Sequence, residues 1–295
     1  MNLDNNNRLH PELILGDSIP SSEQEMAGPH VYISIADLIA EKVFYHPSIS
    51  QVQDSLSAIE ASSLEAILGG NDVAEHFVSV LVAELSASIQ PSHQAVRVCL
   101  SNTDSAGFSA LIGGKVESDE VNPALGSRGV IRYASEAYNP AFALECQVIK
   151  VLREQGINVE VVVPFVRTLA DAATIIDKLA EQGLPRGLNG LRVLFSVDVP
   201  SSALLAERLL HYFDGVVINL DNLAQFTLGI DRTSAELEQS FDPENESVIQ
   251  LLDITVSAAA HAKKPSLVVS HGLESSPKVQ EYLLEHRNVA AVTGA

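Results

Sequence analysis

Tryptophan is absent from the 295 residues, and there are only two methionines and two cysteines, Cys99 and Cys146. Two cysteines cannot build a disulfide framework or a four-sulfur zinc cage. Basic residues are also scarce. Eighteen Lys and Arg stand against 38 Asp and Glu, a formal net charge of −20. That balance argues against non-specific nucleic-acid binding and against an anionic membrane surface as partner. An anionic ligand would have to be held by a few local arginines or helix N-termini, because the overall field repels it. No apolar run approaches the roughly 18 residues of a membrane span. The first residues, MNLDNNNRLHPEL, carry neither a basic n-region nor an apolar h-region. No signal peptide is expected, and the expected location is cytoplasmic. Neither a GxGxxG nor a GxxxxGK followed by Ser or Thr occurs, which disfavours a doubly wound nucleotide-binding sheet.

What is present is a large apolar content, 46% hydrophobic against 19% charged. That is enough for a substantial core, and the length suits a single α/β barrel. Eight β-rich runs punctuate the chain: 31–35, 96–101, 129–133, 159–166, 191–199, 215–220, 266–271 and 289–294. Most are apolar nearly throughout instead of alternating, the mark of parallel strands covered on both faces. Helical periodicity fills the intervals at 141–156, 169–183, 201–213 and 246–264. Gly156 and Gly183 follow two of these as C-terminal stops, and Ser201 or Ser202 precedes a third as N-cap. The pattern predicts a (β/α)8 barrel with a long helical insertion (36–95) after the first strand and no final barrel helix. Residues 1–28, with an Asn run, Pro11 and Pro20, read as a polar N-terminal arm. The barrel is expected over 29–295.

Barrel chemistry sits just beyond the C-terminal ends of strands. Those positions hold Arg128 and Arg132, Arg167, Asp198, then Asp221, Asn222 and Gln225, and finally Ser270 and His271. Such a set could hold a small dicarboxylate or phosphate, directly or through a divalent cation. It could equally be ordinary loop residues capping helices. Cys99 and Cys146 read as buried small hydrophobes. No Ser/His/Asp arrangement is recognisable from spacing, and His46 and His211 show no metal-ligand spacing.

Several long segments carry a family resemblance: NPALGSRGVIRY (122–133), FALECQVIKVLRE (142–154), VEVVVPFVRTLADA (159–172), RGLNGLRV (186–193), VPSSALLAERLLHYFDG (199–215) and LAQFTLGIDR (223–232). SALIGG (109–114) and YHPSI (45–49) fit as well. Together they resemble the C-terminal barrel of phosphoenolpyruvate synthase, in order from about residue 28 onward. The resemblance implies a PEP/pyruvate-binding barrel that uses arginines, magnesium and a catalytic cysteine.

At the chemistry the pattern departs from the family. The arginine of the GxRG segment matches Arg128. The arginine expected in the second strand falls at Cys99, and the Arg and Glu of the first strand fall at Ser34 and Ala36. The metal-binding glutamate falls at Asp198, one methylene shorter. The metal-binding aspartate falls at Asn222, with an acid displaced to Asp221. The catalytic cysteine falls at Ser270, followed by His271. Leu220 stands where the family has a serine, and is expected to narrow the mouth. A lost arginine removes a charge-assisted contact, an amide in place of a carboxylate removes a metal-ligand charge, and a hydroxyl is far less acidic than a thiol. Neither an ATP-grasp domain nor a swivelling phosphohistidine domain is expected within these 295 residues.

Three functions follow as expectations. One is a catalytically degenerate barrel binding a small carboxylate, such as PEP or pyruvate, or a protein partner. The second is a component of a split phosphoenolpyruvate synthase, and the third a lyase or aldolase acting on a pyruvate-like acid. The candidate catalytic residues are Ser270 and His271. The substrate-binding candidates are Arg128, Asp221, Asn222 and Gln225, and Asp198 and Asn222 are the candidate ligands for Mg2+. A homodimer is expected, because parent-family barrels commonly pair through this domain.

Overall fold

Strands that are apolar on both faces need helices outside and a filled lumen within. The computed structural model describes residues 8–20, 28–286 and 288–293 and has that architecture. Eight parallel strands close into a barrel in chain order. They are β1 (Leu15–Ile19), β2 (His30–Ser34), β3 (Ala95–Cys99), β4 (Val159–Val163), β5 (Val193–Val197), β6 (Val216–Asn219), β7 (Ser266–Ser270) and β8 (Ala290–Thr293). β8 closes on β1 through Leu15↔Ala291 and Gly16↔Val292. The α/β barrel predicted by the sequence is therefore the fold.

Alternation along each strand sorts the side chains into two layers. Val161, Val163, Val193, Phe195, Val216 and Ile218 join the large core under the helices. Tyr32, Cys99, Val162, Leu194, Val217, Val269 and Val292 belong to a separate cluster, the barrel lumen. At the N-terminal floor the lumen register carries charge. Arg97 Nε lies 3.0 Å from Glu160 Oε2, Arg192 Nη1 lies 2.6 Å from Glu160 Oε1, and Arg97 Nη1 is 3.2 Å from His30 Nδ1. The lumen is thus plugged below and lined by side chains along its length, so chemistry is confined to the opposite rim.

Two expectations change. The run 129–133 is not a strand; Val130–Tyr133 form a single helical turn. Gly129 precedes it at φ 57, and a Cβ there would lie 2.4 Å from the Pro164 carbonyl oxygen. The chain is therefore forced over the end of β4 and cannot run beside it. The eighth strand comes instead from within the presumed polar arm, as β1. With Gly16, Asp17 and Ser18 at its centre, this strand is not an apolar run. Asp17 is held by His93 Nε2 at 2.8 Å and by the Gly28 N–H at 3.2 Å. The helical insertion consequently follows the second strand, not the first. Its main helices are Ala58–Leu68, opened by a Ser57/Glu60 capping box, and Val73–Ser88, capped by Asp72. The second of these packs against Asn139–Glu154. Among the described residues no single helix is long and apolar enough to cross a membrane.

Candidate functional site

The C-terminal rim holds two separate hydrogen-bonded centres, each built on one aspartate. Asp198 follows β5 directly, continues the lumen register of Leu194 and Ser196, and is fully buried. Its Oδ1 accepts from Asn222 Nδ2 at 2.8 Å, and its Oδ2 accepts from the Phe165 backbone N–H at 2.9 Å. Asn222 is placed by the helix Leu220–Leu228, whose N-cap Asn219 accepts from the Asn222 N–H at 3.0 Å. Phe165 has φ 52, a strained conformation for a bulky residue. The Asp198 carboxylate is one of the contacts that holds it there.

Asp221 is the second centre. Its Oδ1 accepts from Ser270 Oγ at 3.1 Å. Its Oδ2 receives the His271 N–H and His271 Nδ1, both at 2.8 Å, and lies 3.3 Å from Arg232 Nη1. Burial works to raise the Asp221 carboxyl. The hydrogen bonds from His271 and the charges of Arg232 and His271 outweigh it and hold the carboxyl below its usual value. Ser270 and His271 do not pair with each other; both converge on Asp221. The order is therefore Ser–Asp–His, with no imidazole beside the hydroxyl to take its proton. The His271 side chain is 58% exposed, while Ser270 is buried. Gln225 acts on the same loop, its Oε1 accepting from the Arg232 N–H at 3.2 Å.

Arg128 forms the opposite wall. Its Nε and Nη2 donate to the Asn102 carbonyl at 3.2 and 2.9 Å, and its guanidinium lies 4.2 Å above the Phe165 ring. Its nearest carboxylate, Asp104, is 4.0 Å away. Arg167 contacts the same ring at 5.2 Å and donates to the Arg128 carbonyl at 3.0 Å. Burial pushes both guanidinium pKa values down, against the pull of nearby aspartates that include Asp198.

Arg132 is not part of this wall. It pairs with Glu117, donating from Nη1 at 2.7 Å and also from Nη2, and sits over the Tyr138 ring. Glu117 also takes His46 Nε2 at 2.7 Å. Behind it, fully buried Glu145 accepts from Tyr138 Oη and from the Ser101 N–H, both at 2.9 Å. This network fixes the loop after β3, which carries the Asn102 carbonyl that holds Arg128. Sequence reasoning passed over Glu117, Glu145, Phe165 and Arg232. The HP turn at His46 and the buried Glu in an apolar helix face were the available signals. Leu220 does not narrow the mouth: it opens the helix Leu220–Leu228 and is buried in the large core with Val216 and Ile218. Phe165 and the polar pairs fill the rim instead.

Magnesium does not fit these donors. A cation ligand must present a lone pair, yet the Asn222 amide presents N–H to Asp198, and the other Asp198 oxygen is taken by a backbone N–H. Asp221 is turned to Ser270, His271 and Arg232. Among the described residues no three His, Cys, Asp or Glu side chains group as metal ligands.

Comparison with known proteins gives the family. Residues 80–286 match the model of the family described as PEP-utilising enzyme, PEP-binding domain. The phosphoenolpyruvate synthase of Neisseria meningitidis is 36% identical over 255 residues, covering 84% of this chain and 32% of that protein. That of Pseudomonas aeruginosa is 40% identical over 233 residues, covering 77% of this chain and 29% of that protein. The chain spans about a third of the length of these relatives.

Proposed function

The chain belongs to the PEP-utilising enzymes, as a PEP-binding domain, and from that premise we propose that its barrel binds a small carboxylate such as phosphoenolpyruvate or pyruvate without magnesium and without interconverting the two. The observation that carries this reading is the Asn222–Asp198 hydrogen bond at 2.8 Å, which occupies the acid that a magnesium-dependent site would need free. Arg128, Arg167 and Arg232 supply local positive charge in an otherwise acidic chain, and Arg128 keeps N–H groups beyond the two given to Asn102. The Ser270 hydroxyl, committed to Asp221, is a poor proton donor to an enolate carbon.

Two other readings have support of their own. Similarity to phosphoenolpyruvate synthases favours a component of such an enzyme, acting on PEP and pyruvate together with the enzyme's other domains. The Asp221–His271 contact, a buried carboxylate orienting an exposed imidazole, favours a lyase acting on a pyruvate-like acid. Cytoplasmic location and homodimerisation belong to the same proposal; a monomer mass in light scattering would end the latter.

Calorimetric titration with PEP and with pyruvate, with and without magnesium, tests the main reading. Magnesium-independent binding that is lost in Arg128→Ala supports it. Binding that requires magnesium overturns it in favour of the synthase component. No binding at millimolar ligand removes the carboxylate and leaves a protein partner.

A further inference from the structure

We infer that the Asn222 side-chain amide stands in for a cation at the rim, so that this barrel is metal-independent because of one residue, and that Asn222→Asp alone would make its stability depend on a divalent ion. Asp198 is fully buried and needs a positive partner or N–H donors on both oxygens. Oδ2 is served by the Phe165 N–H, whose position is set by the strained turn at the end of β4. Among the described residues, Oδ1 is served by Asn222 Nδ2 alone. The carboxylate fixes which way that amide points, because an amide oxygen turned toward it would place acceptor against acceptor. The backbone that carries the Asn222 side chain is in turn fixed, its N–H capped by Asn219 on the first turn of the helix.

An aspartate at 222 would bring two carboxylate oxygens to nearly the present 2.8 Å separation in a buried site. That arrangement is tolerable only with a shared proton or a bridging cation. Arg128 and Arg167, whose charges Asp198 acts on, are already bonded to the Asn102, Arg128 and Phe165 carbonyls and rest on the Phe165 ring. Those contacts hold both guanidinium groups at the Phe165 ring and not between residues 198 and 222, and no hydrogen bond joins either of them to Asp198 among the described residues. The inference shares with the proposed function only the absence of magnesium: no binding of either carboxylate leaves it standing, whereas carboxylate binding that requires magnesium overturns both.

The test is thermal unfolding of the full chain in EDTA, Mg2+ or Mn2+, with Mn2+ binding followed by electron paramagnetic resonance. The unaltered protein should show the same Tm in all three and hold no stoichiometric Mn2+. Asn222→Asp should unfold roughly 5 °C lower in EDTA, regain most of that with Mn2+, and bind one Mn2+. The Mn2+ should be lost when Asp198→Asn is added. Stoichiometric Mn2+ in the unaltered protein that disappears in Asp198→Asn overturns the inference, and so does an Asn222→Asp variant indifferent to metal. If Asn222→Asp does not fold, Asn222→Ala decides. A lower Tm that no metal restores sustains the inference, and an unchanged or metal-sensitive Tm ends it.

Discussion

Gly129 and Phe165 meet at the rim with no room between them: a Cβ on Gly129 would lie 2.5 Å from Phe165 Cβ. Both have positive φ, 57 and 52. One contact between two unusual backbone conformations therefore places the ring on which Arg128 and Arg167 rest. Gly129→Ala should destabilise the barrel by on the order of 3 kcal/mol, because the added methyl also meets the Pro164 carbonyl, which is backbone and cannot swing away. Urea unfolding would measure this, and a loss below about 0.5 kcal/mol would contradict it.

Glu117 should make the protein acid-sensitive. Burial tends to raise its carboxyl, but hydrogen bonds from His46 and Arg132 prevail and hold it below the ordinary 4.5. A carboxyl depressed on folding contributes stability that is present above its unfolded pKa and lost as pH falls through the folded value. Tm should therefore drop as pH is lowered below about 4.5, and Glu117→Gln should flatten the curve there. At neutral pH the same variant should cost about 3 kcal/mol, since it leaves Arg132 buried beside a neutral amide. Calorimetry across pH 3 to about 7 would check both effects. Glu145 works in the opposite sense: burial raises its carboxyl, so its contribution declines as pH rises.

Neither cysteine should react with a thiol reagent in the folded protein. Cys99 lies in the lumen and Cys146 on the buried face of the helix Asn139–Glu154, and burial pushes both thiols far above the usual range. Ellman's reagent should find no free thiol under native conditions and two in urea. One fast-reacting thiol in the native state would show that the mouth opens down to Cys99.

The barrel floor offers a stability test remote from the rim. Glu160 is 4% exposed and takes charge from both Arg97 and Arg192. Glu160→Gln should cost about 3–5 kcal/mol by leaving Arg97 buried without a counter-charge. Ligand binding at the rim should be unchanged, which separates the two ends of the lumen; weaker binding alongside the lower Tm would show that they are coupled.

Much of this architecture was legible in the residues. β2 and β4–β8 are nearly continuous apolar runs, and such runs have few other stable destinations than a covered parallel sheet. Asp198, Asp221, Asn222, Ser270, His271 and Arg128 all sit at the rim because their places after strands or on the Arg–Gly turn put them there. β1 was not legible, since Gly16, Asp17 and Ser18 acquire their strand role only from pairing with β2 and β8. The run at 129–133 was misleading, because β-rich composition could not register the collision with Pro164 that bends it into a helical turn.

By itself, the sequence determined the barrel, the family and the set of polar residues brought to the mouth, because hydrophobic periodicity and motif order are local properties of the chain. Only the tertiary structure decided who pairs with whom. Asp198 goes to Asn222 and Phe165, Asp221 to Ser270, His271 and Arg232, and Arg132 away from the mouth to Glu117. A hydrogen bond depends on ångström-scale approach between elements that lie tens of residues apart, and residue order does not encode that distance.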